Sequence, residues 1–162
     1  MNGAPGAEPA LLARIQRLHT AYVHAIDDDR LEEWPGLFTD DGLYRVLTRE
    51  NLELDLPLGL VHCVGTAMMR DRISALRTAN IFEPHTYRHL IAAAEITEAA
   101  ASGHRVRSNF AVIRTMHSGA MSVFACGTYL DRIVETADGL KFAERLAVCD
   151  SRSIDTLLVI PL

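Results

Sequence analysis

Apolar positions in the first half of the chain recur about every three to four residues, and beyond Thr86 they alternate. Leu11, Ile15, Leu18, Tyr22 and Ile26 keep one helical face, with Arg14, Gln16, Arg17 and Thr20 between them. The spacing predicts an amphipathic helix that ends at Asp27-Asp28-Asp29. A second short helix is expected from about Leu31 to Phe38, with Pro35 tolerated only within its first turn. Thr39-Asp40-Asp41-Gly42 reads as a turn, and Leu43–Thr48 as a strand. From Glu50 to Gly59, leucines alternate with acids and Pro57, which predicts an edge segment or a flap. Gly65 to Asn80 reads as the third helix, with Met69, Ile73 and Leu76 as its buried stripe and Asn80 as its cap.

After Thr86 come four long strand-like runs joined at Ser102-Gly103, Ser118-Gly119 and Asp138-Gly139. Glycine permits positive φ, so these pairs are hairpin turns. Strands this long twist and curl, and the three N-terminal helices are the available cover for the concave face. The pattern predicts an α+β cone, with helices packed in a strongly curved antiparallel sheet. Residues 1–9 carry no apolar or basic signal and read as a disordered lead-in, ahead of one domain over 10–162.

An apolar fraction of 49% with 23% charged residues is that of a globular chain, and 162 residues suffice for one buried core. A net charge of −5, with Lys141 the only lysine, excludes a phosphate-reading surface, so nucleic acid is not an expected partner. No apolar run is long enough to span a bilayer. Three cysteines without close spacing fit free thiols, and the expected location is the cytoplasm.

The sheet runs carry unusual polar residues: Tyr87-Arg88-His89, Ser108-Asn109-Phe110, Gly127-Thr128-Tyr129-Leu130-Asp131 and Val148-Cys149-Asp150-Ser151-Arg152. In this order they resemble the small (β) subunit of aromatic-ring-hydroxylating dioxygenases, in particular the benzoate-, anthranilate- or salicylate-type branch. The resemblance covers the chain from about Leu11 to Leu162. It implies the nuclear-transport-factor-2-like (cystatin-like) fold and a catalytic large (α) subunit as partner. It implies further a Rieske iron–sulfur cluster and a mononuclear iron in that partner, NADH supplied through a reductase, and self-association as a trimer. The role implied for the chain itself is non-catalytic: to organise the large subunits in aromatic acid catabolism.

Polar groups inside a sheet require partners, so the same residues form either a structural hydrogen-bond network or a pocket. The candidates are Tyr22, Arg88, His89, Asn109, Arg114, Tyr129 and Asp131. Alternation predicts one face holding Tyr87, His89 and Ile91 and another holding Val106, Ser108, Phe110, Val112 and Arg114. A third set runs Met121, Val123, Ala125, Gly127, Tyr129 and Asp131, and Asn109 must face away from Phe110. Arg88, Arg114 and Arg145 are candidates for ion pairs with Glu95, Asp131 and Glu144.

Cys63, Cys126 and Cys149 lack the paired cysteine–histidine spacing of a Rieske site. Glu83, His85 and His89 are the nearest approach to a two-histidine, one-carboxylate set, but they read as loop and core residues, and no metal site is expected. His19, His24, His104 and His117 read as solvated. No catalytic residue is expected. The alternatives are a stand-alone isomerase or dehydratase using a Tyr/His pocket, and a binding module without turnover. The apolar tail Ile154–Leu162 must be buried, either in its own fold or against another subunit.

Overall fold

The computed structural model describes residues 7–56, 59–79, 81–154 and 158–162. Helix α1 spans Ala7–Asp27, so Glu8 and Pro9 stand in its first turn rather than in a lead-in. Proline is accepted there because the first N–H groups of a helix have no intrahelical partner. The second helical segment, Leu31–Leu37, is 3-10 rather than α, with Pro35 at its fifth position. Proline donates no hydrogen bond, and the tighter turn that results buries Leu31 and Trp34 against the core.

Strand β1 (Phe38–Thr48) absorbs the expected turn at residues 39–42 as a bulge. Its pairing jumps from Phe38↔Phe142 to Leu43↔Glu144, so the extra residues bend the strand around the core. The segment expected as an edge or flap opens as a helix, α2 (Arg49–Glu53), with Pro57 and Leu58 outside the described residues. Thr48 Oγ1 accepts from the Asn51 amide and Asn51 Oδ1 from the Thr48 amide, a reciprocal cap that overrides the alternating leucines. Strand β2 (Val61–Val64) and helix α3 (Gly65–Thr78) follow; Met69, Ile73 and Leu76 are buried as their spacing predicts. The cap expected at Asn80 lies outside the described residues.

The meander consists of β3 (His85–Ile91), β4 (Glu95–Glu98), β5 (His104–Met116), β6 (Met121–Thr136) and β7 (Gly139–Cys149). Gly103, Gly119 and Gly139 take positive φ at its three hairpins. The sheet order is β2-β1-β7-β6-β5-β3, with β4 also paired to β5. Every pairing is antiparallel except β1 with β7, which is parallel and corrects the expectation of a wholly antiparallel sheet. The parallel pairing requires a long return, and the chain between β1 and β7, which holds α2, α3 and β2 to β6, supplies it.

Gly127 marks where β6 and β7 crowd: an added Cβ would lie 1.9 Å from the Val148 oxygen. The helices fill the concave face, and Ile15, Tyr22, Trp34, Tyr44, Met69, Tyr129 and Phe142 are all fully buried there. No helix among the described residues is long and apolar enough to cross a membrane.

Candidate functional site

The centre of the cone is a charged pair enclosed by rings. Asp131 on β6 lies opposite Arg145 on β7, and their side chains point inward because both positions share the phase of Tyr129 and Ala147. Arg145 donates twice to Asp131, Nε to Oδ1 at 2.8 Å and Nη2 to Oδ2 at 2.7 Å. Its guanidinium lies 4.1 Å from the ring centroids of Tyr22, Tyr129 and Phe142. Those rings replace the water the cation loses on burial. His19 on α1 completes the group, its Nε2 3.1 Å from Asp131 Oδ2 and its ring stacked on Phe142 at 5.9 Å.

The electrostatics of this cluster are those of a closed network. Burial alone would raise the Asp131 carboxyl, but the Arg145 charge and the hydrogen bonds from Arg145 and His19 hold it below the usual carboxylate range. Burial lowers His19, outweighing the bond to Asp131, so the imidazole is neutral and donates through Nε2–H. The phenols of Tyr22, Tyr44 and Tyr129 are pushed up by burial. Groups in these states are poor proton acceptors near neutral pH.

The tail closes the cone from the other side. Leu158, Val159 and Leu162 are buried, which places the apolar tail in the chain's own core. The Leu162 main-chain oxygen accepts from the hydroxyls of Tyr22 and, at 3.2 Å, Tyr44. The Leu162 amide lies 2.9 Å from the Tyr44 oxygen. Arg72 of α3 donates to the Leu158 carbonyl.

A second polar element stands at the sheet edge. Asp27, the last residue of α1, accepts from the His89 amide at 2.8 Å and from His89 Nδ1 at 2.5 Å. One carboxylate therefore caps the open edge of β3 and fixes the imidazole, and both side chains are buried. Tyr87 on the same face stacks on Phe124 at 5.1 Å, beneath Arg114, which lies 4.6 Å over the Phe124 ring.

The sequence-predicted residues thus separate. Tyr22, Tyr129 and Asp131 belong to the central network, and His89 to the edge clasp. Arg114 sits half-buried near the rim, while Arg88 and Asn109 are exposed on the convex face and join neither. Asn109 contacts Thr128 Oγ1 at 3.4 Å. Among the described ring contacts, His89 meets Tyr87 rather than the predicted Tyr22 or Tyr129, and Tyr22 meets Phe38, Tyr129 and Phe142. Of the expected ion pairs, Asp131–Arg145 forms, while Glu144 pairs with Arg105 at 3.4 Å and Glu95 lies in register with Arg107.

His19 corrects the solvated reading, because it shares the stripe Ile15, Tyr22 and Ile26 that the helical spacing already marks as buried. His24 and His117 are exposed and His104 half-buried. Asp27 and Tyr44 carried no comparable signal. Met121 and Val123 correct the predicted face: they are 72% and 69% exposed. The pairing passes from Val112↔Ala125 to Ile113↔Val123, so Phe124 is a bulge residue that inverts the phase of β6 and turns inward itself.

That inversion shapes the convex face. Register places Leu90, Ala111 and Cys126 in one row, Arg88, Ile113 and Val123 in the next, and Thr86, Thr115 and Met121 beyond them. The solvent face of an antiparallel sheet is ordinarily polar, and on this one exposed Leu90, Val123 and Met121 stand among Arg88, Thr86 and Thr115. Nor do the described residues provide for iron. Burial pushes the thiol of Cys149 up to about 12 and also raises Cys63, so neither is poised as a thiolate ligand. Among the described residues, no group of three His, Cys, Asp or Glu is arranged to hold a metal. The residues present do not fit a Rieske cluster or a mononuclear iron.

Comparison with known proteins gives concordant matches. The SnoaL-like domain family matches residues 10–146. The anthranilate 1,2-dioxygenase small subunit of Burkholderia cepacia is 39% identical over 91% of this chain and 92% of its own length. The terephthalate 1,2-dioxygenase terminal oxygenase component subunit beta 1 of a Comamonas species is 42% identical over 92% of this chain and 97% of its own. A crystal structure assigned as the β subunit of an aromatic-ring-hydroxylating dioxygenase from Novosphingobium aromaticivorans superposes with a TM-score of 0.87. It shares 33% identity and covers 96% of this chain and 99% of its own.

Proposed function

The chain belongs to the SnoaL-like domain family and to the small subunits of aromatic-ring dioxygenases, and from that premise we propose that it is a non-catalytic organiser of its oxygenase. Its partner is the large subunit, which carries the Rieske cluster and the mononuclear iron. Electrons reach that subunit from NADH through a reductase, and the complex acts in the cytoplasm on an aromatic acid. The small subunits associate as a trimer that holds the large ones in register.

The observation that carries this reading is the contrast between the two faces of the sheet. The concave face is occupied by the chain's own rings, the Asp131–Arg145 pair and Leu162, and the carboxylate and imidazole at its centre are engaged with each other and with Arg145. The convex face presents apolar side chains on β3, β5 and β6 to solvent, with Leu90, Val123 and Met121 all more than half exposed. Apolar side chains contiguous over three strands mark an association surface. The same contrast weighs against an isomerase or dehydratase, which needs an open interior and a titratable base.

The test is gentle purification of the tagged chain from its own host, with native mass and iron content measured. The expected result is a larger iron-containing companion in equal stoichiometry. An iron-free homodimer with no companion overturns the proposal.

A further inference from the structure

We propose that a groove on the convex face, across β4 to β7, binds a small amphipathic monocarboxylate such as an aromatic acid. Its carboxylate would sit on Arg107 and its apolar body on Leu130 and Leu146. The groove has a volume of about 280 Å³, near the lower end of ligand pockets, and Thr97, Arg105 and Glu144 complete its walls. Arg107, Leu130 and Leu146 have the outward phase of their strands, so the groove lies across the sheet from the Asp131–Arg145 network. It also stands apart from the apolar patch: along β6, Leu130 is about 13 Å from Cys126 at the rise of a strand.

Two bulges dish the sheet at this place. The pairing of β4 with β5 shifts between Ile96 and Glu98, which leaves Thr97 as an extra residue. The pairing of β6 with β7 shifts between Arg132 and Ile133, which leaves Ala143 extra. Bulges bend their strands and re-aim side chains, so a face that would otherwise be convex acquires a hollow. Thr97 is fixed at one wall by donating from Oγ1 to the Arg105 carbonyl at 3.3 Å. Arg105 reaches over β6 to Glu144 at 3.4 Å and closes the other side.

Register decides what the ligand must carry. Arg107, Leu130 and Leu146 form one row on β5, β6 and β7, with neighbours about 4.8 Å apart. A cation therefore stands beside a half-buried apolar floor, at a separation one substituted ring can span. Arg107 forms no ion pair among the described residues, although Glu95 lies across from it on β4. Its guanidinium is free to take a carboxylate with two parallel N–H donors. Arg105 is held by Glu144, so the groove offers one free cation and not two. A second anionic group on the ligand would meet Glu144 or Glu95, and a neutral ring would leave Arg107 without a counter-charge. One carboxylate on one apolar body is selected.

The test is a titration of the full chain, methyl-labelled at leucine, with benzoate, benzamide and acetate, following Leu130 and Leu146. Saturable shifts at both are expected with benzoate. Benzamide lacks the charge and acetate the apolar body, so each should bind about tenfold more weakly. Arg107→Gln should weaken benzoate about tenfold and leave benzamide unchanged, with Arg107→Lys between the two. Glu144→Gln releases Arg105 and should tighten benzoate about threefold, a gain that a damaged fold does not produce. Leu130→Glu should abolish binding by engaging Arg107 itself, the amide spectrum reporting that the variant is folded. Shifts without saturation, benzamide binding as tightly as benzoate, or benzoate unaffected by Arg107→Gln would overturn the proposal. So would saturation at Leu76 alone, which would place the acid elsewhere. Native mass of Arg107→Gln with the large subunit should equal that of the unaltered chain. A lost assembly would give Arg107 to a partner's carboxylate and overturn the small-acid reading while leaving the organiser role intact.

Discussion

Asp131 and Arg145 show how a charge is accommodated in a core of this size. A bidentate contact and a neutral histidine sharing Oδ2 engage the carboxylate, and three rings surround the guanidinium, whose Nη1 has no hydrogen-bond partner among the described residues. Breaking such a pair is worse than lacking it, because the survivor is left buried and uncompensated. Asp131→Asn should therefore lower unfolding free energy by about 3–5 kcal/mol, read from urea midpoints. The double variant Asp131→Leu with Arg145→Met should recover most of that loss; no recovery would mean the pair stabilises beyond its packing. His19 adds a pH dependence whose sign follows from its lowered folded pKa. Between that value and the ordinary 6.5, the unfolded chain binds a proton that the folded chain does not, so stability is full above 6.5 and falls on acidification. The slope should approach about 1.4 kcal/mol per pH unit, and Asp131, whose folded pKa is also lowered, extends the loss to lower pH. His19→Phe should flatten the profile between pH 7.5 and 5.5 in urea melts at each pH; an unchanged slope would assign it to other groups.

At the scale of elements, the tail and the bulges decide what the strands alone do not. Leu162 is fully buried, and its backbone is read by Tyr22 and Tyr44, so the tail acts as a core element without being a strand. Leu162→Ala should cost about 2–5 kcal/mol, the range for emptying a leucine site in a core. A loss below about 1 kcal/mol in thermal unfolding would show that the site collapses or that the tail is peripheral. The helix stripes and hairpin glycines were legible because periodicity and positive φ are local properties. The bulge at Phe124 was not, because an extra residue appears only when a partner strand sets the register. One residue of slip was enough to send Met121 and Val123 outward, although alternation had placed them inside.

The whole molecule is a cone filled at its centre by its own side chains, with an apolar patch of Leu90, Val123 and Met121 on its convex face, and that patch is where function is proposed to lie. Val123→Glu and Leu90→Glu should leave the urea midpoint within about 0.5 kcal/mol, as solvent-facing changes do. The same changes should reduce native mass by weakening association. A fully assembled complex from both variants would move the interface elsewhere, with the exposed Leu52, Leu54 and Leu56 as the next surface.

The sequence by itself determined the α+β order, the three hairpins, the buried tail and the family resemblance, since each rests on short-range pattern or on residues quoted in order. Only the tertiary structure decided which polar residues meet. Asp131 and Arg145 face each other through strand register, Asp27 reaches His89 across 62 residues of sequence, and Tyr22 reaches Leu162 across 140. Burial of a charge and the shape of a cavity depend on side chains brought together from distant segments, and no periodicity along one segment encodes them.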